Sequence, residues 1–217
     1  MERNPIRLLP IFRVENLTDG VFSIAMTILV FDLKVPPVSI QDLAPTLAQQ
    51  WPSFLAYAIS FGTLGVYWLG DRGLWHVVKA ADHTLHWLSI VFMAFVALVP
   101  FFTEILARHP FEKLALGLYG ANMMLIGITV YAKLRHVYGA GLMPEDLPGF
   151  MKRYAESRCL LAPGCYAAAW MLSFLDERIT LAIYTLIPWL YIVPSAQRMW
   201  FRLVEGRSWQ GDKTPPE

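Results

Sequence analysis

The stretch Arg13-Val14-Glu15-Asn16-Leu17-Thr18-Asp19-Gly20-Val21-Phe22-Ser23-Ile24-Ala25-Met26-Thr27-Ile28-Leu29-Val30-Phe31-Asp32-Leu33-Lys34-Val35-Pro36 decides how this chain must fold. Twelve uncharged residues lie between Asp19 and Asp32, and the apolar character runs from 12 to 33. A helix of about 20 mostly apolar residues crosses the hydrocarbon layer of a membrane. Pro36-Pro37 closes the stretch, because proline cannot continue a helix. Arg13, Glu15 and Asp19 stand near its start. Ionisable groups at membrane depth need partners or water, so these three are candidate functional residues or markers of the headgroup layer.

Five further runs follow at 51–69, 85–106, 114–134, 160–175 and 179–201, so the chain reads as an all-α membrane protein with six transmembrane helices. The runs are too long, and alternate too little, for strands of a barrel. The 217 residues are 56% hydrophobic and 16% charged, with mean hydropathy +0.43. Soluble domains carry about a quarter charged residues. A net charge of +1 gives no footprint for nucleic acid. Cys159 and Cys165 make no disulfide framework, and no cleavable signal pattern is present.

The segment 1–207 reads as one six-helix domain, and 208–217, ending Pro215-Pro216, as a disordered tail. Pro52 suits a first helical turn, Pro100 predicts a kink in the third helix, and 143–149 is a loop. Ala58, Gly62 and Gly65 give the second helix a small face. Fourteen basic residues fall on one side: Arg3, Arg7, Arg13, Arg72, Lys79, Lys133, Arg135, Lys152, Arg153, Arg158, Arg198, Arg202, Arg207 and Lys213. Four, Lys34, Arg108, Lys113 and Arg178, fall on the other. The positive-inside rule then places both termini in the cytoplasm.

No phosphate loop, nucleophile turn or zinc-helix motif occurs, so no catalytic residue, metal or cofactor is expected. His83 and His86 read as interfacial residues at a helix start, and Gly117-Leu118-Tyr119-Gly120 as a site of close helix packing. At about 100° per residue, Arg13, Leu17, Gly20, Ile24, Thr27, Ile28 and Phe31 share one stripe of the first helix. Thr18, Asp19 and Ser23 point elsewhere. Such a stripe is bundle core or the wall of a pore.

The first helix resembles that of prokaryotic members of the endolysosomal transmembrane potassium-channel family, whose signature is Arg-x-x-x-Phe-Ser-Asp. Here Arg13 is followed by Leu17-Thr18-Asp19 and the run Gly20-Val21-Phe22-Ser23-Ile24-Ala25. The likeness continues in Tyr67-Trp68, Leu85-His86-Trp87-Leu88, Pro100-Phe101-Phe102-Thr103 and Leu118-Tyr119-Gly120-Ala121-Asn122. Leu17 and Thr18 replace the signature Phe and Ser. Asp71 and Arg72 stand where the family has histidines, and Ser89 where it has asparagine.

The resemblance implies a potassium-permeable cation channel, conducting passively and weakly selective over sodium. It implies a homotetramer whose first helices line an axial pore in a bacterial inner membrane. Its partners would be potassium, other monovalent cations, the bilayer and further copies of the chain. Ile24 takes the position of the family's constriction and Thr27 that of its selectivity-linked threonine, with Ile28 and Phe31 along the same wall. Arg13, Leu17, Thr18, Asp19 and Ser89 occupy the positions of a polar signature network. A proton- or cation-coupled transporter, with Asp19 or Glu15 titrating, and a non-conducting membrane protein are the alternatives.

Overall fold

The computed structural model describes residues 11–143 and 149–193. All regular structure among them is helical: α1 (Ile11–Ile28) with a 3₁₀ turn (Leu29–Asp32), α2 (Ile40–Gln49), α3 (Trp51–Val77), α4 (His83–Ala97), α5 (Val99–Arg108), α6 (Lys113–Gly139), α7 (Gly149–Leu172) and α8 (Glu177–Ile192). The expected tail at 208–217, most of the 143–149 loop and the end of the sixth run lie outside the described residues.

Among the described residues four stretches are long and apolar enough to cross a membrane: Ile11–Asp32, Trp51–Val77, His83–Arg108 and Lys113–Gly139. In their described residues α7 and α8 fall short of that measure. The first half of α7 carries Lys152, Arg153, Glu156 and Arg158, and α8 is described over 16 residues. The second and fourth predicted runs stop too early. Charges end an apolar run, but the helix goes on when those charges are paired or reach water. α2 was not foreseen; it buries none of its side chains.

Pro100 acts as expected. It has no N–H to give, and its ring crowds the carbonyl four residues back. The third span accordingly breaks at Leu98 into α4 and α5, with Pro100 in the first turn of α5. At the break the Asn122 amide of α6 donates to the Phe95 carbonyl (3.2 Å). A neighbouring helix thus satisfies backbone that the break disturbs, as an apolar surrounding requires.

α6 is the central element, packed by α4, α5, α7 and α8. Its glycines let those helices come close. A Cβ at Gly117 would strike Trp170, one at Gly120 the hydroxyl of Tyr184, and one at Gly127 the ring of Pro163. Gly62 of α3 meets Pro188 of α8, whereas a Cβ at Gly65 would meet open space. The small face of α3 is therefore used at Gly62 and not at Gly65. Tyr119, Tyr166 and Tyr184 fill the centre, with ring centroids 5.0–6.4 Å apart. Tyr184 donates to the Leu116 carbonyl (3.1 Å), and Tyr119 shares a hydrogen bond with Ser60.

Helix directions follow from the contacts between ends. Lys113, opening α6, meets Glu177, opening α8 (3.6 Å). Asp71 late in α3 meets Lys133 late in α6. Asp82, capping α4, accepts from the Leu85 backbone N–H (2.9 Å) and pairs with His136 of α6 (2.8 Å). Burial pushes the Asp82 carboxyl up, but that N–H and His136 outweigh it and hold the carboxyl below its usual value.

The Asp71–Lys133 pair corrects the charge map, which placed Lys133 among the surface cations of a loop. Lys133 is fully buried and Asp71 nearly so. Trp75 donates to the second carboxylate oxygen of Asp71 (2.9 Å). The ammonium also lies 5.0 Å from the Trp75 ring and 4.8 Å from that of Phe92. Removing one member of a buried pair leaves the other charge stranded, at a cost of about 3–5 kcal/mol. Lys133→Met should therefore lower the melting temperature of the purified protein sharply. Adding Asp71→Leu should recover most of the loss. Equal melting temperatures for the single variant and the wild type would show that the pair is not a tie.

Candidate functional site

α1 lies at the edge of the bundle, against α3 and α4. Its inner face is apolar and closely packed: Phe22, Ala25 and Leu29 are buried, and the Phe22 ring meets Phe92 of α4 at 5.8 Å. Thr18 sits on the same face. Its hydroxyl donates to the Val14 carbonyl (2.9 Å) and lies 3.6 Å from the sulfur of Met93. The 3₁₀ turn ends the helix at Asp32, four residues before Pro36.

The opposite face is uncovered by the chain. Leu17 is 55% exposed, Ile24 61%, Ile28 42% and Phe31 73%, and Arg13, Gly20 and Thr27 are exposed with them. This is the stripe read from helical phase, so within one copy of the chain it is not bundle core.

Thr27 has a particular geometry. Its hydroxyl hydrogen is shared between the Ser23 (2.8 Å) and Ile24 (2.9 Å) carbonyls of its own helix. The donor is used up along the helix, which leaves oxygen lone pairs on the uncovered face. Such an oxygen suits a cation and offers an anion nothing. Ile24, one turn before it, brings only hydrocarbon.

Asp19 lies between the two faces. Trp68 of α3 donates its indole N–H to the carboxylate at 2.7 Å, and the Arg72 guanidinium stacks 5.5 Å from the Trp68 ring. A charge-assisted bond of this kind fixes the entry of α1 against α3. Trp68 was noted in the sequence only as part of a likeness. Its role shows only once the two helix ends are side by side.

The other signature positions do not join this contact into one hydrogen-bonded network. Ser89 is buried and donates to the Leu85 carbonyl of its own helix (2.8 Å). Arg13 and Leu17 face outward, and Arg13 makes no ion pair among the described residues. The polar centre behind α1 is instead Asp71, Lys133 and Trp75. It reaches α1 through the rings of Phe92 and Phe22. An acidic residue late in the second span and a basic one late in the fourth were the sequence signal for it. Among the described residues no cluster of three His, Cys, Asp or Glu side chains is placed to hold a metal.

The sequence profile of the family described as endosomal/lysosomal potassium channel TMEM175 matches residues 13–100, from Arg13 to the Pro100 break. A potassium channel of Streptomyces collinus is 31% identical over 185 residues, 82% of this chain and 90% of its own. The chain belongs to the TMEM175 family.

A crystal structure of a lysosomal potassium-selective channel TMEM175 homolog from Chamaesiphon minutus superposes with a TM-score of 0.74 at 26% identity, over 84% of this chain and 96% of that one. The mouse endosomal/lysosomal proton channel TMEM175 is 36% identical over 114 residues, 47% of this chain but 23% of its own. These relatives are ion channels and not enzymes. The profile stops at residue 100, so it covers α1 and the α3 and α4 surfaces that hold it, and not α6 to α8.

The Asp19–Trp68 bond predicts how Asp19→Ala behaves. Loss of a hydrogen bond to a charged group costs about 1.5–3 kcal/mol. Asp19→Ala should lower thermal stability or the yield of assembled protein on size-exclusion chromatography more than it alters ion selectivity. Unchanged assembly with abolished conduction would assign Asp19 to the ion path instead.

Proposed function

We propose that the chain is a potassium-permeable cation channel whose pore forms where α1 helices of four copies meet on an axis. The observation that carries this reading is the uncovered stripe of α1, apolar at Leu17, Ile24, Ile28 and Phe31 and bearing the exposed Thr27, whose hydroxyl hydrogen is held by its own helix. One copy cannot surround a path with a single α1, so a closed ring of copies is required. The potassium channels among its relatives share most of their length with this chain.

In this assembly α7 and α8 complete six spans. The termini face the cytoplasm on the strength of the basic-residue split, which stays thirteen to four without Lys133. The membrane is then the bacterial inner membrane. Conduction is passive and only weakly selective over sodium. A ring of Ile24 side chains dewets and blocks, because an ion shedding water there finds nothing to replace it. A ring of Thr27 oxygens one turn on returns part of the hydration, and Phe31 shapes the outer mouth.

Purified protein in mild detergent is expected to run as a tetramer, and a stable monomer that still conducts would end the proposal. In liposomes with a potassium-flux readout, Ile24→Asn should wet the constriction and raise basal flux. Thr27→Val keeps nearly the same shape without the oxygen, so it should leave assembly intact and reduce discrimination between potassium and sodium. If Ile24→Asn brings no gain and Thr27→Val no change in selectivity, α1 does not line the path. Flux that runs only when coupled to a second gradient would favour a transporter.

A further inference from the structure

On the side of the bundle away from α1, helices α3, α6, α7 and α8 enclose a cavity of about 450 Å³, partly open to the surroundings. Its walls are hydrocarbon: Val66, Val130, Ala162 and Ile187 line the middle. Its two ends differ. Thr63 and Tyr166 close the inner end; both are buried, and their hydroxyls lie close to each other. Gly70 and Arg158 stand at the outer end, seven and eight residues away along α3 and α7. At 1.5 Å per residue that places them roughly 10–12 Å nearer the end of the bundle where α7 begins.

Arg158 is the unusual group. Its guanidinium lies 5.0 Å from the Tyr191 ring and donates to the Tyr154 hydroxyl (3.0 Å), so two aromatic residues hold it over the cavity mouth. Among the described residues it makes no ion pair. A half-buried guanidinium beside an apolar cavity and without an ion pair suits an anionic group. The planar fork of a guanidinium matches a phosphate. Basic pockets between membrane helices on the cytoplasmic side are the usual seats of anionic headgroups.

We propose that this cavity is a binding site for an anionic phospholipid, with the phosphate on Arg158 and one acyl chain between α3, α6, α7 and α8. Charge complementarity selects the headgroup, and the apolar wall selects the chain. Thr63 and Tyr166 set the depth, since their hydroxyls mark where the hydrocarbon wall ends. Gly70 opens the mouth: a Cβ there would meet nothing within 4 Å. The site shares no residue with the α1 stripe and requires only that the protein sits in a membrane. Its test is therefore independent of conduction.

The test is native mass spectrometry of the delipidated full chain, titrated with phosphatidylglycerol or with phosphatidylcholine of the same acyl chains. One well-placed basic group near a membrane surface is worth about 1 kcal/mol, so the anionic lipid should bind roughly fivefold more tightly. Arg158→Gln should abolish that preference, and Arg158→Lys should retain part of it. Gly70→Leu projects into free space in the mouth, so it should keep the fold and weaken binding of both lipids. Equal affinity for the two lipids in the wild type, or an undiminished preference in Arg158→Gln, overturns the proposal. Displacement of the lipid by millimolar inorganic phosphate would show an anion site without an acyl slot, and overturns it as well. So does a Gly70→Leu protein that changes oligomer size with lipid affinity unaltered, since this face would then be a contact between copies.

Discussion

The arrangement depends on one buried ion pair, Lys133 with Asp71. An ammonium and a carboxylate away from water are costly singly, and they stay only where each is the other's main partner. That requirement fixes the rotation of α3 against α6. Trp75 completes the carboxylate, and the Phe92 ring accepts the far side of the ammonium. Phe92 in turn seats Phe22 of α1. The placement of the pore-lining candidate helix thus traces back to a charge pair that touches none of its residues.

Position and stiffness of α1 come from different parts of the bundle. Asp19 and Trp68 hold its start against α3, Phe22, Ala25 and Leu29 hold its middle, and the 3₁₀ turn ends it. Everything that binds lies on the inner face or, at Asp19, on its border. The other face is left free for contacts that one chain does not supply. Such a division lets the outward residues vary in size or polarity with little effect on the fold of the single copy.

Much of this was legible in the sequence. Apolar length marked four of the spans, Pro100 marked the break, and the 100° phase separated Ile24, Thr27, Ile28 and Phe31 from Thr18. Those signals are local, so a linear reading captures them. Trp68 with Asp19, and Lys133 with Asp71, were not legible as pairs. Each joins residues 49 or 62 positions apart, and a charge in a linear reading looks like the end of a helix. For the same reason α3 and α6 ran longer than expected. Of the polar signature positions, Asp19 reaches across to Trp68 and Thr18 to Met93. Ser89 bonds its own helix, and the buried polar centre is at Asp71.

Helix glycines set against prolines carry a consequence for how such a chain can diverge. Gly127 admits the ring of Pro163, and Gly62 lies against Pro188. In the first of these, a larger residue on one helix collides with a rigid ring on the other, and neither side yields by rotating a bond. Drift at Gly127 is therefore conditional on Pro163: a lineage that acquires a side chain there must first lose the ring opposite, or shift α7 outward. The two sites form an epistatic couple. The order in which they change decides which sequences remain reachable from this one.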